Sequence, residues 1–102
     1  MQSRYSDDTT VIPTDASRYT LAFKPDGTVG VRADCNRAGG TYTVRGNAIA
    51  IRVSHMTRAM CPPASLDGTF LRDLDAAAIF FIKNGELFLD LKFDTGTMRF
   101  SP

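Results

Sequence analysis

The sequence predicts an α+β domain: a curled antiparallel sheet or incomplete barrel of hairpins, with one helix packed against it over about residues 66–77. Three observations predict it. Apolar and polar residues alternate in paired segments joined by turn residues, which is the period of half-buried strands. One segment alone, after Pro62-Pro63, spaces its apolar residues as a helix does. Hairpins that share a single helix form an α+β layering rather than a parallel α/β one. The chain has 102 residues, 43% of them hydrophobic and 23% charged, which suits one core and excludes collagen, coiled coil and wholesale disorder.

The opening, residues 1–18, reads as a polar N-terminal segment, the region where a trimmed first strand would lie. It holds Ser6-Asp7-Asp8 and a brief Thr9–Ile12 before Pro13. It shows no charged start followed by an apolar run, so no signal peptide is expected in it. Residues 19–102 read as the domain. Tyr19, Leu21 and Phe23 alternate with Thr20 and Ala22, and Pro25-Asp26-Gly27 turns the chain into Thr28–Val31. Asn36–Gly40 reads as loop, Tyr42 and Val44 then lead to Gly46-Asn47, and Ile49, Ile51 and Val53 return as a second hairpin. Asn84-Gly85, the pair that favours a two-residue type I′ turn, joins Ile79–Ile82 to Leu87, Leu89 and Leu91. Phe93 falls on the same alternating face as these leucines, and the apolar run Ala76–Ile82 predicts a strand covered on both faces. Ser65 is the expected N-cap of the helix, Asp67 complements its dipole, and Leu66, Phe70, Leu71, Leu74 and Ala77 form its stripe.

Charge narrows the function classes. Twelve Lys+Arg against eleven Asp+Glu give a net +1, unlike a generic nucleic-acid binder, whose domain pI exceeds ~9. No stretch approaches the ~18 apolar residues of a membrane helix, so no transmembrane segment is expected. The distribution is uneven: residues 30–60 hold Arg32, Arg37, Arg45, Arg52 and Arg58 against Asp34 alone, a local net of +4. Arg32, Arg37 and Arg58 are candidates for a patch facing an anionic partner. The plainer alternative is an ordinary solvated face whose arginines pair with local acids.

Catalytic chemistry is hard to build from these residues. His55 is the only histidine, so any Ser-His or Cys-His arrangement must use it, and no nucleophile-elbow pattern surrounds a serine. Structural zinc takes four Cys/His ligands, and Cys35, Cys61 and His55 are all there are. Asp73 and Asp75, two apart on the helix, do not face each other, and Gly39-Gly40 lacks a phosphate-loop pattern. No catalytic residue, cofactor or metal is expected. Cys35 and Cys61 fit either a disulfide or two buried thiols; the disulfide is the expectation, and it presumes an oxidising compartment.

Asp34-Cys35-Asn36, then Gly39-Gly40-x-Tyr42, then Thr57-Arg58-Ala59-Met60-Cys61 resemble the motif set of the META domain, the family of HslJ-like heat-inducible envelope proteins. The hairpin Tyr19-x-Leu21-x-Phe23-x-x-Asp26-Gly27, the helix residues Phe70, Leu71 and Leu74, and Asn84-Gly85-Glu86-Leu87-x-Leu89 follow the family's order. Two features depart from it: Asp34 stands where the family usually has glycine, and the chain lacks the tryptophan of the usual opening strand. The family-motif residues are Asp34, Cys35, Asn36, Gly40, Tyr42, Thr57, Met60 and Cys61, and their types suit folding rather than ligation. The resemblance implies no enzymatic activity and no cofactor. It implies a periplasmic or envelope-anchored lipoprotein linked to stress response, working as an accessory binding module. Its partner would be an unknown envelope protein or an anionic lipid or glycolipid. The alternative is an inhibitor or pilot-like protein that takes a lipid, a peptide or an enzyme through its curved sheet, and an enzyme acting through His55 is the outsider.

Overall fold

In a computed structural model of the chain, residues 2–5, 9–13 and 15–101 are described. Asp7 and Asp8 lie outside them. The strands are β1 (Gln2–Tyr5), β2 (Thr10–Val11), β3 (Tyr19–Phe23), β4 (Thr28–Ala33), β5 (Asn36–Arg45) and β6 (Ala48–Met56). They continue, after the helix α1 (Asp67–Asp75), as β7 (Ala77–Lys83), β8 (Glu86–Leu91) and β9 (Gly96–Phe100). All nine join in one antiparallel sheet of order β2-β1-β9-β8-β7-β6-β5-β4-β3. The described residues are thus mainly β with a single α-helix. The sheet is open, with β2 and β3 at its edges.

The turns form for local reasons. Asp26 accepts from the Thr28 N–H (2.9 Å) and hydroxyl (2.6 Å), and Gly27 sits at φ 87°. Asn84 and Gly85 both take positive φ (54° and 77°), as a type I′ turn requires. Gly40 is demanded by the approach of two strands: a Cβ there would lie 1.8 Å from the Arg52 carbonyl oxygen.

The core lies on the inner face around α1. Phe70 and Leu74 of the helix are completely buried with Leu89 and Met98. Phe70 touches Tyr19 of β3 (ring centroids 5.6 Å) and Phe100 of β9 (6.0 Å). In the sheet order β3 and β9 are six positions apart, and flat strands would separate them by roughly 29 Å at ~4.8 Å each. Both reach one phenylalanine, so the sheet bends around the helix. Between β6 and β7 the pairing narrows to Ala48↔Ile79, with the Phe80 N–H donating to the Asn47 carbonyl (2.9 Å).

Several expectations are corrected. The polar opening contains β1, paired with β9 from Gln2↔Arg99 to Tyr5↔Gly96. Its buried residue is Ser3, so no apolar alternation announced a strand. The helix is shorter than about 66–77. Its capping position is Leu66, while Ser65 accepts the Asp67 N–H one step earlier (3.2 Å), and Ala77 of the expected stripe begins β7. β7 is not covered on both faces: Ile79 and Phe81 are partly open to solvent, and Phe81 stacks on Phe88 across the outer surface (4.8 Å). Phe93 leaves the leucine face entirely. It sits at φ 62° in a single turn of 3₁₀ helix, Lys92–Asp94, and is 94% exposed.

Candidate functional site

Two structures stand out, and the first gathers most of the residues singled out above. The first is the junction between the β4–β5 turn and the loop from β6 to α1. Asp34 takes the left-handed backbone (φ 58°), a conformation glycine adopts freely and aspartate tolerates. Its carboxylate compensates by binding Arg18. Hydrogen bonding from Ser65 first, and then from Arg18, holds that carboxyl below the usual carboxylate range. Cys35 and Cys61 are bridged, with Cα atoms 5.6 Å apart. Asn36, next to Cys35, is buried and spends its side chain on the loop and the start of α1. Its Oδ1 accepts from the Ala59 N–H (2.8 Å) and the Thr57 hydroxyl (3.0 Å). Its Nδ2 donates to the Ala59 carbonyl (3.0 Å) and to Asp67 (3.2 Å).

Thr57 completes the clasp: its N–H donates to the Arg37 carbonyl (2.9 Å), and its Oγ1 accepts from the Arg37 N–H (3.0 Å). Tyr42 packs edge-on against Phe23 (4.9 Å) and donates to the Lys24 carbonyl (2.8 Å). Among the motif residues Met60 is the exception, 98% exposed at the tip of the clasped loop. Arg37 and Arg58 are exposed beside it and Arg32 is half-buried.

His55 lies on the outer face of β6. Its Nδ1 is 3.2 Å from the Ser54 hydroxyl, and no carboxylate meets the ring among the described residues. Both cysteines are consumed by the bridge, so no thiol stands near it. Asp73 is buried in the helix, where it accepts from the Tyr5 hydroxyl and from Arg72 (3.2 Å), tying β1 to α1. Burial first, and then the Asp73 carboxylate, push the Tyr5 hydroxyl above its ordinary pKa. Among the described residues no group of three or more His, Cys, Asp or Glu could hold a metal ion. No helix among them is long and apolar enough to cross a membrane.

The second structure is lined by residues that the sequence does not single out as a site. A groove of about 660 Å³ runs between β3 and the ends of β8 and β9, lined by Leu21, Phe23, Leu87 and Phe100. Its residues were legible as strand residues, but which strands would face each other depends on how the sheet bends. At the two ends of β3 the Asp34 N–H donates to the Arg18 carbonyl and the Lys24 N–H to the Thr28 carbonyl, so the even-numbered positions turn their backbone groups toward β4. By alternation the backbone N–H and C=O of Leu21 and Phe23 point off the edge. They meet no backbone partner among the described residues.

Comparison with known proteins agrees with this architecture. A protein from Burkholderia xenovorans, solved by NMR, superposes with a TM-score of 0.74 at 17% identity, over 99% of this chain and 77% of its own. A DUF4847 family protein from Bacteroides vulgatus ATCC 8482 superposes with a TM-score of 0.68 at 20% identity, over 82% of this chain. The chain spans 58% of the length of that Bacteroides protein. At these identities the likeness is one of fold. No curated protein matches the sequence. The family model of the META domain matches residues 6–102, taking in β2 and every later element. The clasp built on Asp34-Cys35-Asn36 and Thr57–Cys61 is therefore found where the family match and the fold coincide, and the chain belongs to the META domain family.

Proposed function

We propose that the protein is a non-catalytic binding module of the cell envelope, working in an oxidising compartment outside the cytoplasm. The observation that carries this reading is the clasp. The most distinctive residues of the chain, Asn36, Thr57 and the Cys35–Cys61 bridge, are spent on fixing one surface loop, with Arg58 and Met60 left exposed on it. An exposed disulfide at this position suits a compartment that keeps it oxidised. The interior is filled by Phe70, Leu74, Leu89 and Met98, which favours surface contact with a partner over carriage of a lipid inside. The test is affinity capture from envelope fractions with the wild-type chain and with Cys35→Ser/Cys61→Ser, alongside a hydrolase substrate panel with His55→Ala. One partner retained by the wild type and lost without the bridge is expected. A turnover abolished by His55→Ala would replace this reading with the enzymatic one.

A second reading is favoured by the free edge of β3. Strand addition supplies main-chain hydrogen bonds along an exposed edge and pockets for alternate side chains. Leu21 and Phe23 offer both: unpaired backbone groups at the edge, and side chains lining the groove. An extended partner segment with alternating apolar residues fits this geometry. Titration with such a peptide should shift the amide resonances of Leu21 and Phe23 first. Shifts confined to the Thr57–Cys61 loop would remove the groove from consideration.

A further inference from the structure

The outer face of β4–β6 carries arginines that make no ion pair among the described residues. Register puts Arg32 directly opposite Arg37, and like charges facing across a strand pair repel. In the next row Gly30 faces Gly39, and Gly39 faces His55. A Cβ on Gly39 would lie 2.7 Å from His55 Nε2, so the imidazole covers that glycine. One row further, Thr28 faces Thr41 and Thr41 faces Arg52. His55 and Arg52 are three residues apart, which plain alternation would send to opposite faces. The irregularity at Gly39/Gly40 returns them to the same one. The result is a floor without side chains at Gly30 and Gly39, rimmed by guanidinium groups, an imidazole and threonine hydroxyls.

None of Arg32, Arg37, Arg52 and Arg58 makes an ion pair among the described residues. Arg32 reaches the Asp34 backbone carbonyl (3.3 Å), while the Asp34 carboxylate is taken by Arg18. Arg58 joins the face through its neighbour Thr57, which is bonded to Arg37.

We propose that this face docks on the phosphate-bearing surface of an anionic lipid bilayer. Charge complementarity sets the class: residues 30–60 hold five arginines and one acid, although the chain as a whole carries only +1. Met60 selects a lipid surface over a soluble polyanion. It is 98% exposed, and the Cys35–Cys61 bridge holds its loop beside the cationic face. Cations that draw a protein to anionic headgroups, together with an exposed apolar side chain that enters the interface, are the two forces that hold peripheral proteins on membranes. The proposal rests on the reading of the chain as an envelope module and goes beyond it by naming the surface.

Flotation with phosphatidylcholine vesicles, with and without phosphatidylglycerol, tests it on the oxidised full chain. Binding is expected with phosphatidylglycerol alone and should weaken with salt. Each arginine removed should lower the apparent affinity about fivefold, so Arg37→Gln/Arg58→Gln should lose roughly 25-fold. Met60→Ser should weaken binding without altering its salt dependence, and Lys92→Gln on the β8–β9 turn should bind as wild type. Thermal melting of each variant separates lost binding from lost folding. Equal binding to neutral vesicles, wild-type affinity in the double arginine variant, or indifference to Met60→Ser each overturns the proposal. The last of these would leave a generic polyanion contact. A chain that captures an envelope protein but ignores the vesicles overturns this inference while the binding-module reading stands.

Discussion

At the scale of single residues, two adjacent glycines have opposite tolerances. A methyl group on Gly40 would meet the Arg52 carbonyl oxygen at 1.8 Å, and backbone cannot step aside without parting β5 from β6. On Gly39 it would meet the end of the His55 side chain, which can rotate away. Gly40→Ala should therefore yield a chain that fails to fold or melts far below wild type, while Gly39→Ala should fold and displace the imidazole. Thermal melting and the His55 resonances distinguish the two. Asp34 gives a prediction in pH. Its carboxyl is lowered by Ser65 and Arg18, so its contribution to stability is present above the unfolded value of about 3.9 and disappears as pH falls through the lower folded value. The stability gap between wild type and Asp34→Asn, measured by urea denaturation, should be full at neutral pH and close in acid. A gap independent of pH would assign Asp34 a backbone role alone. The left-handed φ of 58° at this position is one that glycine would fit freely and that aspartate accompanies here with an ion pair.

Among the elements, the long loop from β6 to α1 depends most on covalent help. It runs outside the sheet, and its residues 57–60 are all exposed. Three anchors hold it: the bridge to Cys35, the Asn36 side chain, and the Leu66 N–H donating to the Tyr19 hydroxyl (2.9 Å). The bridge spans 26 residues of sequence, worth about 3.5 kcal/mol in the chain-entropy model. Cys35→Ser/Cys61→Ser should lower unfolding stability by that order, and Ala59 should lose its protection from hydrogen exchange before the β5–β6 amides do. Thiol titration under denaturant without reductant should find none in the wild type. The helix needs no such support because its Phe70 and Leu74 are fully buried, a face it cannot expose without dismantling the core.

For the molecule as a whole, the bend of the sheet decides what is available to a partner. It closes the core around Phe70, leaves β3 as an edge, and sets that edge across a groove from β8 and β9. Leu21 and Phe23 amides should exchange rapidly in the free protein and slowly once a segment adds to β3; unchanged exchange with a bound partner would place the contact elsewhere. The local pieces of the fold are legible in the chain. Alternation marks β3, the second half of β5, β6 and β8, Asn84-Gly85 and Pro25-Asp26-Gly27 mark turns, and helical spacing marks Phe70 and Leu74, because each signal is written in residues a few positions apart. Asn36–Gly40, which reads as loop, is instead the first half of β5. The sequence is silent on β1, whose inward residue is a serine, and misleading on Phe93, whose place on the strand is ended by a left-handed turn. Which cations share a face depends on how distant strands pair. Arg52 and His55 come together through the irregularity at Gly39/Gly40, and Arg32 meets Arg37 through strand register. Register and bulges are set by packing between distant segments, and that packing has no local signature in the chain.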